Sequence, residues 1–272
     1  MRVALQRKYI MSLAVILLSL FVYFYYVCLS GRAVYTNIIT GKWLFFTIVF
    51  LTFLNIRKKL SFWPLGRVYH WLTVHIVIAQ CSLVVFLLHI DFRMPSGIIE
   101  VTLSVLFAIV FVGGNFGLWI SRSYPRKLTS KGGSIPYEDV PQMIHELKDK
   151  AESLVLESID ISQKSTIADF YNFRLAGFFA QKKIYWLHLF NSKKRIQFLV
   201  SHISSVRRYL NEEEIATLKE VELLMIRKNT LDYQYAHMSM LKYWLFIHIP
   251  VSYSLVVLGL FHWLLVVGFI GG

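Results

Sequence analysis

The chain has 272 residues, of which 56% are hydrophobic, 16% aromatic and only 17% charged; a soluble domain is usually about 25% charged, so a disordered chain is excluded and an integral membrane protein is the expected class. Two cysteines exclude a disulfide scaffold, and also an iron–sulfur cluster held by this chain alone, which normally takes four ligands. The formal net charge of +13 points to anionic lipid or an acidic partner before nucleic acid.

A membrane-crossing helix needs about 20 mostly apolar residues. Five segments fit or nearly fit: roughly residues 10–29, 43–56 (short unless its flanks join it), 68–92, 98–120 and 241–269. The first follows Arg2, Arg7 and Lys8, as a signal peptide would. Its apolar run is longer than a signal core, and no A-x-A-like site follows, so a retained anchor is expected.

Basic residues in short loops set orientation. The amino terminus carries Arg2, Arg7 and Lys8. The second loop carries Arg57, Lys58, Lys59 and Arg67. The segment after the fourth span opens with Arg122, Arg126, Lys127 and Lys131. The opposite loops carry only Arg32, Lys42 and Arg93. Five crossings would then leave the amino terminus in the cytoplasm and the carboxyl end outside. A bacterial inner membrane is the expected location.

Residues 121–240 read as an inserted, helical cytoplasmic domain between spans 1–4 (residues 1–120) and span 5 (241–272). The insert begins with turn formers at Pro125, Gly132, Gly133, Pro136 and Pro141. Apolar residues then recur at helical spacing over residues 144–159, 168–190, 195–210 and 212–228. Asn211, followed by three glutamates, predicts a helix start.

Nine histidines occur, and four form a pattern. His75 and His89 lie 14 residues apart on the third span; His248 and His262 lie 14 apart on the fifth. Fourteen residues advance a helix by about 21 Å and return to within about 40° of the same face. The third and fifth spans run in the same direction. His75 therefore shares a depth with His248, and His89 with His262. Two such pairs suit two haems stacked across the bilayer, each held between facing imidazoles. Bis-histidine ligation leaves no open iron position and favours electron transfer. A lone intramembrane histidine can be a packing residue, or part of a proton or ion path; equal spacing on two helices of matching polarity favours the haem reading. His70 is expected at the interface, with an alternative ligand role open. His145, His188, His202 and His237 are expected at the surface or in the core of the insert.

Gly113, Gly114 and Gly117 cluster on the fourth span. They allow close approach of either a flat ligand or a neighbouring helix. Pro250 lies two residues after His248, frees the carbonyl of Phe246 and is expected to kink the fifth span.

The strings HIVIAQCSLVVFLLHIDFRMPSG, FVGGNFGLWISR and LFIHIPVSYSLVVLGLFHWLLVVGF resemble the membrane subunits of bacterial di-haem cytochromes b, within a superfamily that includes ferric-reductase-like transmembrane domains. ADFYNFRLAGFFA and RRYLNEEE resemble a bacterial subgroup with a long cytoplasmic loop before the last helix. The likeness spans roughly residues 60–270; the first two spans match nothing specific. It implies two b-type haems, with His75, His89, His248 and His262 as iron ligands. No G-x-G-x-x-G fingerprint is present, so any flavin, iron–sulfur or multihaem redox partner is expected on a separate subunit, with quinone as a further candidate.

Other features carry less. Residues 121–240 hold 18 Lys and Arg against 14 Asp and Glu, a net of +4. The patches at Lys182 and Lys183, Lys193 to Arg195, and Arg207 and Arg208 suit an acidic carrier, anionic lipid or plain inside-positive topology. Cys28 and Cys81 read as inert apolar-phase thiols. Asp91 and Arg93 suit haem propionates, a quinone pocket or a simple loop. Glu100 suits the start of the fourth helix or proton handling at a quinol site.

The expectation is an all-α membrane protein with five transmembrane helices, a haem-binding bundle and a helical cytoplasmic insert. It would carry electrons across the bilayer between a cytoplasmic-side partner and an outer or quinone partner. The rivals are a membrane oxidoreductase acting directly on quinol or metal, and a transporter or channel with a cytoplasmic regulatory domain.

Overall fold

A computed structural model describes residues 2–30, 36–59, 68–123, 135–162, 166–180 and 185–270. Every regular element among them is helical. Helix α1 spans Arg2–Ser30, α2 Thr36–Lys59, α3 Val68–His89 and α4 Ile98–Ser123. Then come α5 Val140–Ser162, the short α6 Thr166–Phe170, a π turn Tyr171–Leu175, α7 Ala176–Ala180, α8 Tyr185–Val206, and α9 Glu212–Ile270. Five of these, α1 to α4 and α9, are long and apolar enough to cross a membrane.

Two elements outrun their apolar cores. Helix α2 begins at Thr36, about two turns before the apolar stretch that opens at Trp43. Helix α9 joins the expected last insert helix to the fifth span in one 59-residue helical element. No glycine lies between Glu212 and Leu258, and Pro250 is the one proline inside the helix. Around it, Ser252 Oγ donates to the His248 carbonyl at 2.7 Å and Ser254 Oγ to the Pro250 carbonyl at 3.1 Å.

The chain divides into two compact units, residues 1–117 with 245–272, and residues 118–244. In the first, α3 runs along α2 and α1. Leu44, Val85, Phe107 and Leu255 meet as a buried core drawn from α2, α3, α4 and α9. Phe86 stacks on Phe107 at 4.3 Å between ring centres, and Phe107 on Phe111 at 6.2 Å. Large apolar side chains such as Phe21, Phe24 and Phe246 face outward, as lipid-solvated helices require.

The second unit has a conventional core of Val140, Ala151, Leu175, Leu218, Val221 and Met225. Ile167, Tyr171, Leu175 and Phe179 are all buried and repeat every four residues. On an α-helix a four-residue step drifts by about 40°. The wider π turn absorbs that drift and keeps all four on one face. At the start of α9, Glu214 Oε2 accepts the Asn211 N–H at 2.9 Å, half of a capping box. Lys228 is 1% exposed; its Nζ donates to Asp232 Oδ2 at 2.6 Å and lies 4.6 Å from the Phe178 ring centre.

Lys182 and Lys183 of the expected basic patches lie outside the described residues, as do Arg32, Arg67, Arg126, Lys127 and Lys131. Arg207 and Arg208 form an exposed 3-10 turn after α8.

Candidate functional site

All four patterned histidines fall in the first unit and are half-buried. On α9 the preceding residues face outward: Phe246 is 78% and Ile247 63% exposed, and Phe261 is 50% exposed. His248 and His262 thus sit on the inward side of α9. Leu255, seven residues from each, belongs to the buried core. One apolar layer separates the two histidine levels.

At one level, His89 occupies the last turn of α3. Its Nδ1 lies 2.9 Å from the Asn37 carbonyl oxygen. A carbonyl only accepts, so Nδ1 carries the proton in the neutral ring and Nε2 keeps the lone pair that a metal would use. Thr40 Oγ1 donates to the carbonyls of Thr36 at 3.0 Å and Asn37 at 3.1 Å, and lies 3.5 Å from His89 Nδ1. Gly41 completes this cradle: a Cβ there would stand 2.8 Å from His89 Cε1, closer than real side chains allow. His262 lies within electrostatic reach of His89, as do Asp91 and Glu100. Trp263, next to His262, packs on Phe45 and Phe46. Its indole N–H is buried and finds no acceptor among the described residues.

At the other level, the His248 ring lies against α4, with Nδ1 3.5 Å from where a Gly113 Cβ would be and Cε1 3.7 Å from that of Gly114. The next residue, Asn115, accepts a hydrogen bond from Gln80 Nε2 of α3 at 3.0 Å. Gln80 is five residues beyond His75, about 7.5 Å along the axis. His75 Nδ1 is buried. Helix α4 therefore backs the His248 ring and is tied to α3 through Gln80.

These features suit a flat, metal-centred macrocycle. The donors are imidazoles, one with its tautomer fixed by a carbonyl, and Gly41 stands where a Cβ would crowd the His89 ring. Among the described residues no cluster of three or more His, Cys, Asp or Glu side chains could hold a bare metal ion.

Glu100 Oε2 accepts the Gly97 N–H at 3.4 Å, so it caps α4. Asp91 accepts hydrogen bonds from Tyr26 and Asn37. His70 is exposed beside Tyr69. His145 is exposed and pairs with Asp149 at 3.7 Å. His202 Nδ1 bonds the Phe198 carbonyl at 2.9 Å. His237 is buried, and burial pushes its imidazole below the ordinary range. Only the backbone is described at His188. Cys81 is buried and Cys28 exposed, both as free thiols.

Sequence reasoning passed over Tyr26, Asn37, Thr40, Gly41 and Gln80. The available signal was polar and small residues, Asn37 and Gly41, within two turns of the second apolar run. No family model, curated protein or solved structure matches this chain.

Proposed function

We propose that the chain is a di-haem membrane cytochrome b that passes electrons across the bilayer. The observation that carries this reading is the equal 14-residue spacing of His75/His89 on α3 and His248/His262 on α9, with all four side chains half-buried in the first unit. His75 with His248, and His89 with His262, would hold one b-type haem each. Bound there, haem would supply a one-electron ferric/ferrous couple suited to electron transfer.

The chain's own residues do the rest. The Asn37 carbonyl holds the His89 ring, Gly41 leaves clearance beside it, and Gly113 and Gly114 form the α4 surface against the His248 ring. Leu44, Val85, Phe107 and Leu255 keep water from the space between the levels. A dry apolar layer fixes the charge environment of each site.

In this reading the membrane is a bacterial inner membrane. The amino terminus and residues 121–240 face the cytoplasm, and the carboxyl end lies outside, as the basic loop residues favour. The partners are a separate redox subunit and, at the opposite face, an outer acceptor or quinone. Purified protein tests the reading. A reduced-minus-oxidised spectrum with b-type bands, and about two haems per chain by pyridine haemochrome, is expected. A folded but colourless protein would overturn it and favour a transporter or channel.

A further inference from the structure

The turn that ends α3 is built at a conformational cost that its hydrogen bonds alone do not require. The Phe92 N–H bonds the Leu87 carbonyl at 3.1 Å, and the Asp91 N–H bonds the Leu88 carbonyl at 3.3 Å. This is the Schellman pattern, whose C′ position is left-handed and usually glycine. Here that position is Asp91, with φ 49°, followed by Phe92 with φ 55°. Strained backbone at a non-glycine residue points to a role for its side chain.

Both carboxylate oxygens of Asp91 are engaged. The Tyr26 hydroxyl of α1 donates to Oδ1 at 2.9 Å, and Asn37 Nδ2 of α2 donates to Oδ2 at 3.1 Å. Asn37 then offers its carbonyl to His89 Nδ1. One hydrogen-bonded chain, Tyr26 to Asp91 to Asn37 to His89, ties three helices to a single imidazole.

We infer that Asp91 is a positioning residue for the His89 site: held by Tyr26, it anchors Asn37, whose carbonyl fixes the His89 ring and tautomer, and its negative charge biases that site toward the oxidised state. The inference rests on the reading of His89 as an iron ligand. A ligand imidazole whose N–H is firmly held is a stronger donor. A carboxylate one residue's hydrogen bonds away from the ring stabilises the more positive ferric form. Of the two levels, this one would be made harder to reduce. The two helices that carry no recognisable family signature would thereby acquire a function.

The test uses the full-length protein in nanodiscs, with haem content, potentiometric titration and the low-spin ferric EPR signal as readouts. Asp91→Asn keeps the shape and tolerates the left-handed turn but removes the charge. Asp91→Gly supplies the residue the turn prefers and removes the anchor as well. Tyr26→Phe removes one support of the carboxylate. Both haems should remain in Asp91→Asn, with one midpoint potential raised and the other unmoved. Asp91→Gly should raise the same potential and also shift the EPR signal of that haem, without loss of thermal stability. Because Asp91 is exposed, added salt should shrink the wild-type to Asp91→Asn difference. Two haems with neither potential nor EPR signal altered in Asp91→Asn and Asp91→Gly would overturn this inference alone. Wild-type protein without haem would overturn the cytochrome reading, and this inference with it.

Discussion

Gln80 Nε2 donates to Asn115 Oδ1 across 3.0 Å, joining α3 to α4 within the apolar bundle. Asn115 Nδ2 donates in turn to the Phe111 carbonyl at 2.9 Å. Interhelical hydrogen bonds of this kind average about 0.6 kcal/mol in a bilayer, with a maximum of about 1.7 kcal/mol. Gln80→Leu should destabilise the protein within that range, measured by unfolding in bicelles. A stability equal to wild type would show that the bond does not hold the two helices together.

The glycines divide by what surrounds them. A Cβ at Gly41 meets His89 Cε1 at 2.8 Å, whereas one at Gly177 meets nothing within 4 Å. Gly177 lies in α7. Gly177→Ala should therefore stabilise by about 0.5–1 kcal/mol, the usual helix-interior gain. Gly41→Ala should displace the His89 ring and reduce haem content to about one per chain. Thermal unfolding and pyridine haemochrome check the two substitutions; full haem retention in Gly41→Ala would contradict the proposed cradle.

Lys228 and Asp232 form a buried pair, 1% and 13% exposed. Removing one partner of such a pair typically costs about 3–5 kcal/mol, because a charge is left buried alone, while apolar replacement of both is often neutral. Asp232→Ala should be strongly destabilising, and Lys228→Met with Asp232→Leu should recover most of the loss. Denaturant unfolding followed by circular dichroism separates them. Equal losses in the single and double variants would refute the pairing argument.

Tyr171 is 4% exposed, and burial, aided by the carboxylates of Glu152 and Asp149, pushes its phenol up to about 12. The folded-state value is above that of the unfolded chain, so the neutral phenol stabilises the fold below pH 10. That contribution, about 2–3 kcal/mol, is lost as pH rises from 10 through 12. Unfolding at pH 9 and pH 11 should show a larger alkaline loss in wild type than in Tyr171→Phe. Identical losses would place the alkaline sensitivity elsewhere.

Hydropathy located all five long apolar helices, but not their ends. Hydropathy reads average composition, and α2 begins with Thr36–Gly41, an opening turn in which three polar residues and a glycine flank Ile38 and Ile39. That turn carries Asn37, Thr40 and Gly41, the cradle of His89, so the same blindness hid the helix start and part of the site. Helix α3 stops at His89 rather than running to Phe92, because Asp91 and Phe92 adopt left-handed backbone. The continuity of α9 was legible as an absence of breakers before Pro250. The π turn was foreshadowed by the four-residue repeat from Ile167 to Phe179. Hydrogen-bond partners such as Tyr26 and Asp91, 65 residues apart, carry no local pattern and become visible only in three dimensions.

The central claim is the pairing of histidines across α3 and α9, and single substitutions with haem spectroscopy test it most directly. His75→Ala and His248→Ala should each abolish the same spectral component, and His89→Ala and His262→Ala the other, leaving about one haem per chain in every case. If His75→Ala and His89→Ala instead remove one common component, or if all four variants keep both, the paired arrangement is wrong.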